Sequence, residues 1–210
     1  MNYYILGYCG VKQQVDNKKN NSFFAVFFRQ KYINRWGLMR NVTNENLSTH
    51  AAEVSCIAHA LAVIGNTYFG KNYNTDRVAT LALYHDMPEV FTGDLPTPVK
   101  YANDALRKCY AQLEEKAVEQ LTDRLPIELK NEYKALLEIT PEDMELKKLV
   151  KAADKLCALI KCIEEEKSGN NDFSSARVAT ERSLRDMSFD ELDYFMENFL
   201  PAFSGTLDEI

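Results

Sequence analysis

Two segments of this chain repeat apolar residues at helical spacing and then place an ionisable residue on the same stripe. In residues 48–64, Val54, Ile57 and Leu61 fall on one face, and His50 joins them at i, i+4, i+7 and i+11. In residues 149–157, Asp154 follows Val150 by four positions and precedes Cys157 by three, so it shares their face. An Asp pointing into a helical core is costly unless it is paired or bound to a metal. A chain built this way is expected to pack helices around a polar centre.

The rest of the pattern is also helical. Ser48 or Thr49 is placed to cap a helix that Gly65-Asn66 would stop. Further helices are expected over 75–86, 103–124 and 189–199. Another opens at Thr140-Pro141-Glu142-Asp143, where a capping hydroxyl, a first-turn proline and acidic residues agree, and runs through Lys167 to end at Gly169. Phe24, Phe27, Phe28, Lys31 and Ile33 suggest an aromatic-faced helix over 23–35. No segment of useful length alternates with the period of a strand. The expected fold class is all-α, a single helical domain over 23–210, preceded by a polar extension, 1–22, with little to bury.

Composition narrows the function. The chain has 210 residues, enough for one sizeable core, and a formal charge of −6. That balance argues against a nucleic-acid polymer as partner, since phosphate neutralisation needs a basic surface. A small phosphate pocket needs only one or two local cations. Cys9, Cys56, Cys109, Cys157 and Cys162 form no CxxC pair and read as reduced thiols of a cytoplasmic protein, three of them inside apolar helical patterns. No apolar run is expected to approach the roughly 20 residues of a membrane span, and no basic stretch precedes the short apolar start, as a signal peptide would require.

Three histidines are present. His85-Asp86 closes the apolar run 78–84, and both side chains can reach one ion if the helix end meets it obliquely. With His50 and Asp154 they form an imidazole and carboxylate set suited to Mn, Fe, Co, Ni or Zn. The plainer alternative makes His50 a first-turn helix residue, Asp86 a helix-end carboxylate and Asp154 an ion-pair member. His59 sits about half a turn round from His50 at ~100° per residue, and is expected to be a packed core histidine.

The order His50, His85-Asp86, Asp154 resembles the H…HD…D signature of the HD-domain phosphohydrolases, and more closely their bacterial 5'-deoxynucleotidases. The likeness runs through Ile33-Asn34-Arg35-Trp36, Glu45-Asn46-Leu47-Ser48-Thr49-His50 and Tyr84 to Tyr101, where Gly93-Asp94-Leu95-Pro96-Thr97-Pro98-Val99-Lys100 is far more specific than the His-Asp pair. It covers about residues 23–210. It implies an HD-domain helical bundle with one divalent cation, Co²⁺, Mn²⁺ or a similar first-row ion, on His50, His85, Asp86 and Asp154. It implies that Arg35 orients the 5'-phosphate, that Trp36 favours a 2'-deoxy sugar, that Glu89 and Asp94 are the acid/base and substrate-contacting carboxylates, and that Asp94, Leu95, Pro96 and Thr97 line the nucleoside side. The implied substrates are deoxyribonucleoside 5'-monophosphates and the implied assembly a homodimer, with no membrane partner.

Two departures stand out. Met87-Pro88 occupies the place of small residues, and Pro88 is expected to end the helix near Asp86, which loosens the alignment of Glu89 over His85. Residues 1–22 have no counterpart. Other HD chemistries (triphosphate, cyclic nucleotide or guanosine alarmone hydrolysis) share the four ligands, but a triphosphate site would call for more cations than Arg35, Arg40 and Lys100. A non-catalytic nucleotide-binding helical module is the remaining alternative.

Overall fold

The computed structural model of the chain describes residues 21–100, 102–138 and 140–209. The expected extension therefore lies outside the described residues, except for Asn21 and Ser22. The described residues form helices α1 (Phe23–Phe27), α2 (Leu47–Tyr68), α3 (Thr75–Tyr84), α4 (Glu89–Thr92), α5 (Thr97–Lys100), α6 (Asp104–Thr122), α7 (Ile127–Leu137), α8 (Met144–Lys167), α9 (Ser174–Met187) and α10 (Asp190–Asn198). Short 3₁₀ turns adjoin several of them. Among the described residues the sole β feature is an antiparallel bridge between Asn34 and Asn46. The all-α expectation holds.

Helix α2 is the central post. Asn46, rather than Ser48 or Thr49, caps it, its side chain accepting the backbone N–H groups of both at 3.0 Å. By length and composition α2 is apolar enough to cross a membrane (22 residues, mean hydropathy 1.4), which corrects the expectation that no segment approaches that character. Here its apolar face is covered by α3, α8 and α10. Val54, Ala58, Leu61 and Ala62 meet Val78, Leu81 and Ala82 of α3 and Leu149, Ala153 and Leu156 of α8, all buried. Each fully buried leucine stabilises the fold by about 1.5–3 kcal/mol relative to exposure. The opposite face of α2 is open. Cys56 and His59 are exposed on it, which corrects the reading of His59 as a packed core histidine. Half a turn from His50 leads to solvent, not to a second layer.

A smaller core lies beside the first. Phe23, Met87, Leu121 and Leu125 are buried together, with Phe27, Tyr84 and Tyr133 against them. The predicted aromatic face is shifted here. Phe23 is the anchor, 4.8 Å from the Tyr133 ring, while Phe24 and Phe28 are exposed. The cause is geometric: α1 lasts five residues and then tightens into a 3₁₀ turn over Phe28–Tyr32, so α-helical spacing no longer applies.

Local chemistry sets the ends of α8. Pro141–Asp143 forms a 3₁₀ turn before the helix proper, and the Thr140 hydroxyl donates to Asp143 rather than capping a backbone N–H. Asp143 in turn holds Arg77 of α3 by two hydrogen bonds of 2.6 and 3.2 Å. At the other end Gly169 takes φ +85, its N–H donating to the Glu166 carbonyl while Asn170 N–H reaches that of Glu165. This double closure is a Schellman stop, which glycine permits without strain. Helices α7 and α9 were not legible in the sequence.

Gly65 does not end α2, which runs three residues further. Its role is close approach: a Cβ there would lie 2.7 Å from the Tyr73 ring and 2.8 Å from Glu191 Oε1, two groups joined by a 3.0 Å hydrogen bond. Overpacking of this kind costs about 1–3 kcal/mol, partly offset by a helix-propensity gain of up to about 1 kcal/mol. Gly65→Ala is therefore expected to lower the urea midpoint by the equivalent of about 1 kcal/mol. An unchanged or higher midpoint would mean that the Tyr73–Glu191 pair yields freely.

Candidate metal centre

The sequence brings its ionisable groups together through three devices. The stripe of α2 puts His50 inside, with no exposed surface. Helix α3 ends at Tyr84 because Pro88 has no N–H to offer the Tyr84 carbonyl, which takes the Met87 N–H instead at 3.1 Å. His85 and Asp86 thus stand on the turn that follows, two residues earlier than the expected stop. The Asn34–Asn46 bridge, through Arg35 N–H to Glu45 O and Leu47 N–H to Ile33 O (both 3.0 Å), folds the Arg35-Trp36 segment back onto the start of α2.

His50, His85 and Asp86 offer ligand atoms that lie within 4.8 Å of one another. Asp154 of α8 stands outside that tight group, the most open of the four expected ligands, with Oδ1 3.1 Å from His50 Nε2. His85 Nδ1 donates to the Ala82 carbonyl at 2.7 Å, which fixes the tautomer and leaves Nε2 buried without a hydrogen bond, 3.1 Å from Asp86 Oδ2. His50 Nδ1 lies 3.0 Å from Glu45 Oε1, while Nε2 faces Asp154 and, at 3.6 Å, Asp86. Both imidazoles therefore turn Nε2 toward the Asp86 carboxylate, as two ligands of one cation do. The donor set and the orphaned Nε2 of His85 fit a divalent metal.

Electrostatics supports this. Burial disfavours charge on His85, but the Asp86 carboxylate beside it overcomes that penalty and raises the pKa to about 9. His50 is also raised, against burial, by its contacts with Asp154 and Glu45. Burial would raise Asp86, yet His85, His50 and Arg35 hold it well below the usual carboxylate range. Without metal, then, the His85 imidazolium is balanced by the Asp86 carboxylate beside it.

The other expected site residues border this cluster. Arg35 is nearly buried, Nη1 3.4 Å from Asp86 and 3.9 Å from Asp94. Gly93 at φ +76 turns the chain into Asp94, which is half-buried with Leu95 and Pro96, and Thr97 opens α5. Despite the break at Pro88, Glu89 is buried, 3.5 Å from the Tyr110 hydroxyl and 3.9 Å from Lys100, with Oε2 unpartnered. Burial, then Asp86 and Asp94, push its pKa up to about 9 against Lys100 and Arg35, so it is a protonated acid at neutral pH. Of the other cations considered, Lys100 pairs with Glu114 at 2.9 Å and Arg40 with Asp172 at 2.8 Å on the open surface. Trp36 takes φ +58, and its indole lies 5.2 Å from the buried Phe173 ring.

One residue was missed. Glu45 is buried, Oε1 3.1 Å from Arg35 Nε and 3.0 Å from His50 Nδ1, with Oε2 accepting Trp36 Nε1 at 2.8 Å. No periodic pattern marks it. The only sequence signal was its place in the segment leading to His50.

Comparison with known proteins bears on this arrangement. The family described as 5'-deoxynucleotidase YfbR-like matches residues 22–203. The chain is 50% identical to 5'-deoxynucleotidase YfbR of Escherichia coli O127:H6 over 192 residues, 91% of this chain and 96% of that protein. It is 48% identical to 5'-deoxynucleotidase plu3092 of Photorhabdus laumondii over 188 residues, 90% of this chain and 95% of that protein. Among solved structures, an HD-domain phosphohydrolase from Listeria innocua superposes with a TM-score of 0.71 at 26% identity, covering 87% of this chain and 88% of that one. The cyanophage S-2L HD phosphohydrolase DatZ, bound to dA and one catalytic Zn²⁺, shares the fold at a TM-score of 0.59 and 20% identity, covering 87% of this chain and 96% of that one.

Two outcomes follow from the charges. Metal uptake must displace protons from the raised imidazoles, so affinity should climb with pH up to about 9, and calorimetric heats should vary with the ionisation enthalpy of the buffer. Buffer-independent heats would place the protons elsewhere. The second concerns Glu89 in chelator-treated protein. Its folded pKa exceeds its unfolded one, so its charging destabilises the fold as pH rises from about 4.5 toward 9. Glu89→Gln should therefore raise Tm by several degrees at pH 8 and by little at pH 4.5. A pH-independent difference would contradict the raised pKa.

Proposed function

Because the chain belongs to the YfbR-like 5'-deoxynucleotidase family, we propose that it hydrolyses deoxyribonucleoside 5'-monophosphates to deoxyribonucleoside and phosphate at the centre built on His50, His85 and Asp86. It is a phosphoric monoester hydrolase with the HD-domain helical fold. The observation that carries the assignment to this centre is the convergence of two imidazoles and a carboxylate beside a buried guanidinium and a buried neutral carboxylic acid.

In this reading His50, His85, Asp86 and Asp154 hold one divalent ion, of which Co²⁺, Mn²⁺ and Zn²⁺ suit the donors. Such an ion, when bound, neutralises phosphoryl charge and lowers the pKa of water. Arg35 presents a planar guanidinium to the phosphate oxygens, a match that a point charge does not give. As a water oxygen bonds to phosphorus and the P–O5' bond breaks, the Glu89 carboxylic acid gives its proton to O5', leaving a carboxylate beside Lys100. Asp94, with Leu95, Pro96 and Thr97, borders the nucleoside. Trp36 stands where a bulky ring excludes a 2'-hydroxyl. The reading extends to a cytoplasmic homodimer. Phe199 supplies exposed apolar surface for one, whereas Phe189 and Phe203 of the same region pack mainly on the chain's own core.

The test is phosphate release from dAMP and AMP by chelator-treated protein, with Mn²⁺, Co²⁺ or Zn²⁺ restored. Release should depend on metal and favour dAMP, and Trp36→Ala should bring the two rates closer by about tenfold or more. Equal rates in the unsubstituted protein would remove the role of Trp36. No release with any ion would overturn the assignment.

A further inference from the structure

Glu45 ends in one carboxylate that touches a residue of each part of the proposed site. Oε2 accepts the Trp36 indole N–H at 2.8 Å. Oε1 lies 3.1 Å from Arg35 Nε and 3.0 Å from His50 Nδ1, ion-pair contacts whose angles are too oblique for hydrogen bonds, so one oxygen faces both groups. These three residues are the proposed sugar-facing ring, the phosphate-orienting cation and a metal ligand. Glu45 is buried beside the Asn34–Asn46 bridge, and its carbonyl accepts Arg35 N–H, so its backbone is fixed by the same contact that brings Arg35 home.

A second anchor holds the loop between Trp36 and Glu45. The Glu165 carboxylate of α8 accepts the N–H groups of Val42 and Thr43 at 2.9–3.1 Å and pairs with Lys161, which also donates to the Thr43 carbonyl. Inside the loop Trp36 adopts φ +58, a conformation that costs a non-glycine residue free energy. Its carbonyl accepts Met39 N–H at 2.8 Å and Asn41 Nδ2 at 3.3 Å. The strained backbone and the pinned indole together fix one ring position. Strain held in this way marks places where position matters.

We propose that Glu45 is a positioning residue that couples sugar selection to metal binding: the carboxylate that holds Trp36 against the sugar also orients His50 toward the ion. The coupling rests on the functional reading above, but its first two readouts do not. A carboxylate suits all three neighbours because each is a donor. An amide offers one acceptor oxygen and one N–H₂. Turned to keep Arg35 and His50, the side-chain amide of the Glu45→Gln variant would set its N–H₂ against the Trp36 N–H, so that Trp36 alone is released.

Trp36 is the sole tryptophan, so intrinsic fluorescence reports this contact directly. Using the full-length protein, we would measure emission, the affinity for Co²⁺ by chelator competition, and kcat/KM for dAMP and AMP, with circular dichroism to confirm folding. Glu45→Gln is expected to shift Trp36 emission to the red and reduce the dAMP-to-AMP ratio about tenfold, with metal affinity weakened less than in Glu45→Ala. Glu45→Ala should lose both, with Co²⁺ binding weaker by about 10- to 100-fold. In a Trp36→Ala background, Glu45→Gln should change the ratio no further. Folded variants with unchanged emission and Co²⁺ affinity would overturn the proposal. So would a Glu45→Gln effect on the ratio that persists without Trp36. If the unsubstituted protein hydrolyses neither nucleotide, the functional reading fails, while emission and metal affinity still decide whether Glu45 links the two groups.

Discussion

The packing of α2 between α3 and α8 is the contact on which the rest depends. His50, Asp86 and Asp154 come from, or follow directly on, these three helices, and their mutual distances are set by the alanine, valine and leucine side chains beneath them. Ala58, Ala62, Ala82, Ala152 and Ala153 are fully or almost fully buried, and such small residues let helix axes approach closely. The charged groups then stand on a rigid frame, and their energetic conflict falls on protonation state rather than on geometry. Histidines are pushed up, Asp86 is held down and Glu89 is kept neutral, all within one buried cluster.

What the sequence disclosed follows from periodicity. His50 and Asp154 were readable because each interrupts an apolar stripe, and Gly169 because a long amphipathic segment must stop. Arg35 and Trp36 had no such signal and entered through resemblance. Glu45 entered only as part of a resembling segment, with no role: its burial comes from an antiparallel bridge between two irregular segments, and no local pattern encodes a pairing of that kind. His59 was misplaced because a helix apolar on most of its circumference still keeps one face in water. The aromatic stripe of 23–35 was misjudged where an α-helix tightened to a 3₁₀ turn.

Pro88 shows how one substitution of local chemistry can be absorbed. It ends α3 early and denies Glu89 a helical position above His85. Yet Met87 on the same turn is fully buried, and that insertion draws Glu89 inward beside Tyr110. The acid is placed by a hydrophobic neighbour rather than by helix continuation.

That insertion also divides the molecule energetically. His50 stands on a helix of the large core, whereas the turn bearing His85, Asp86 and Glu89 is seated by the small one of Phe23, Met87, Leu121 and Leu125. The two need not open together, since cooperative units of unequal apolar burial come apart at different free energies. Warming would loosen the smaller unit first. The chain would then pass through a form that has lost its proton donor and two of its ligands while α2 and α8 still hold together, so inactivation and metal release would both precede global unfolding.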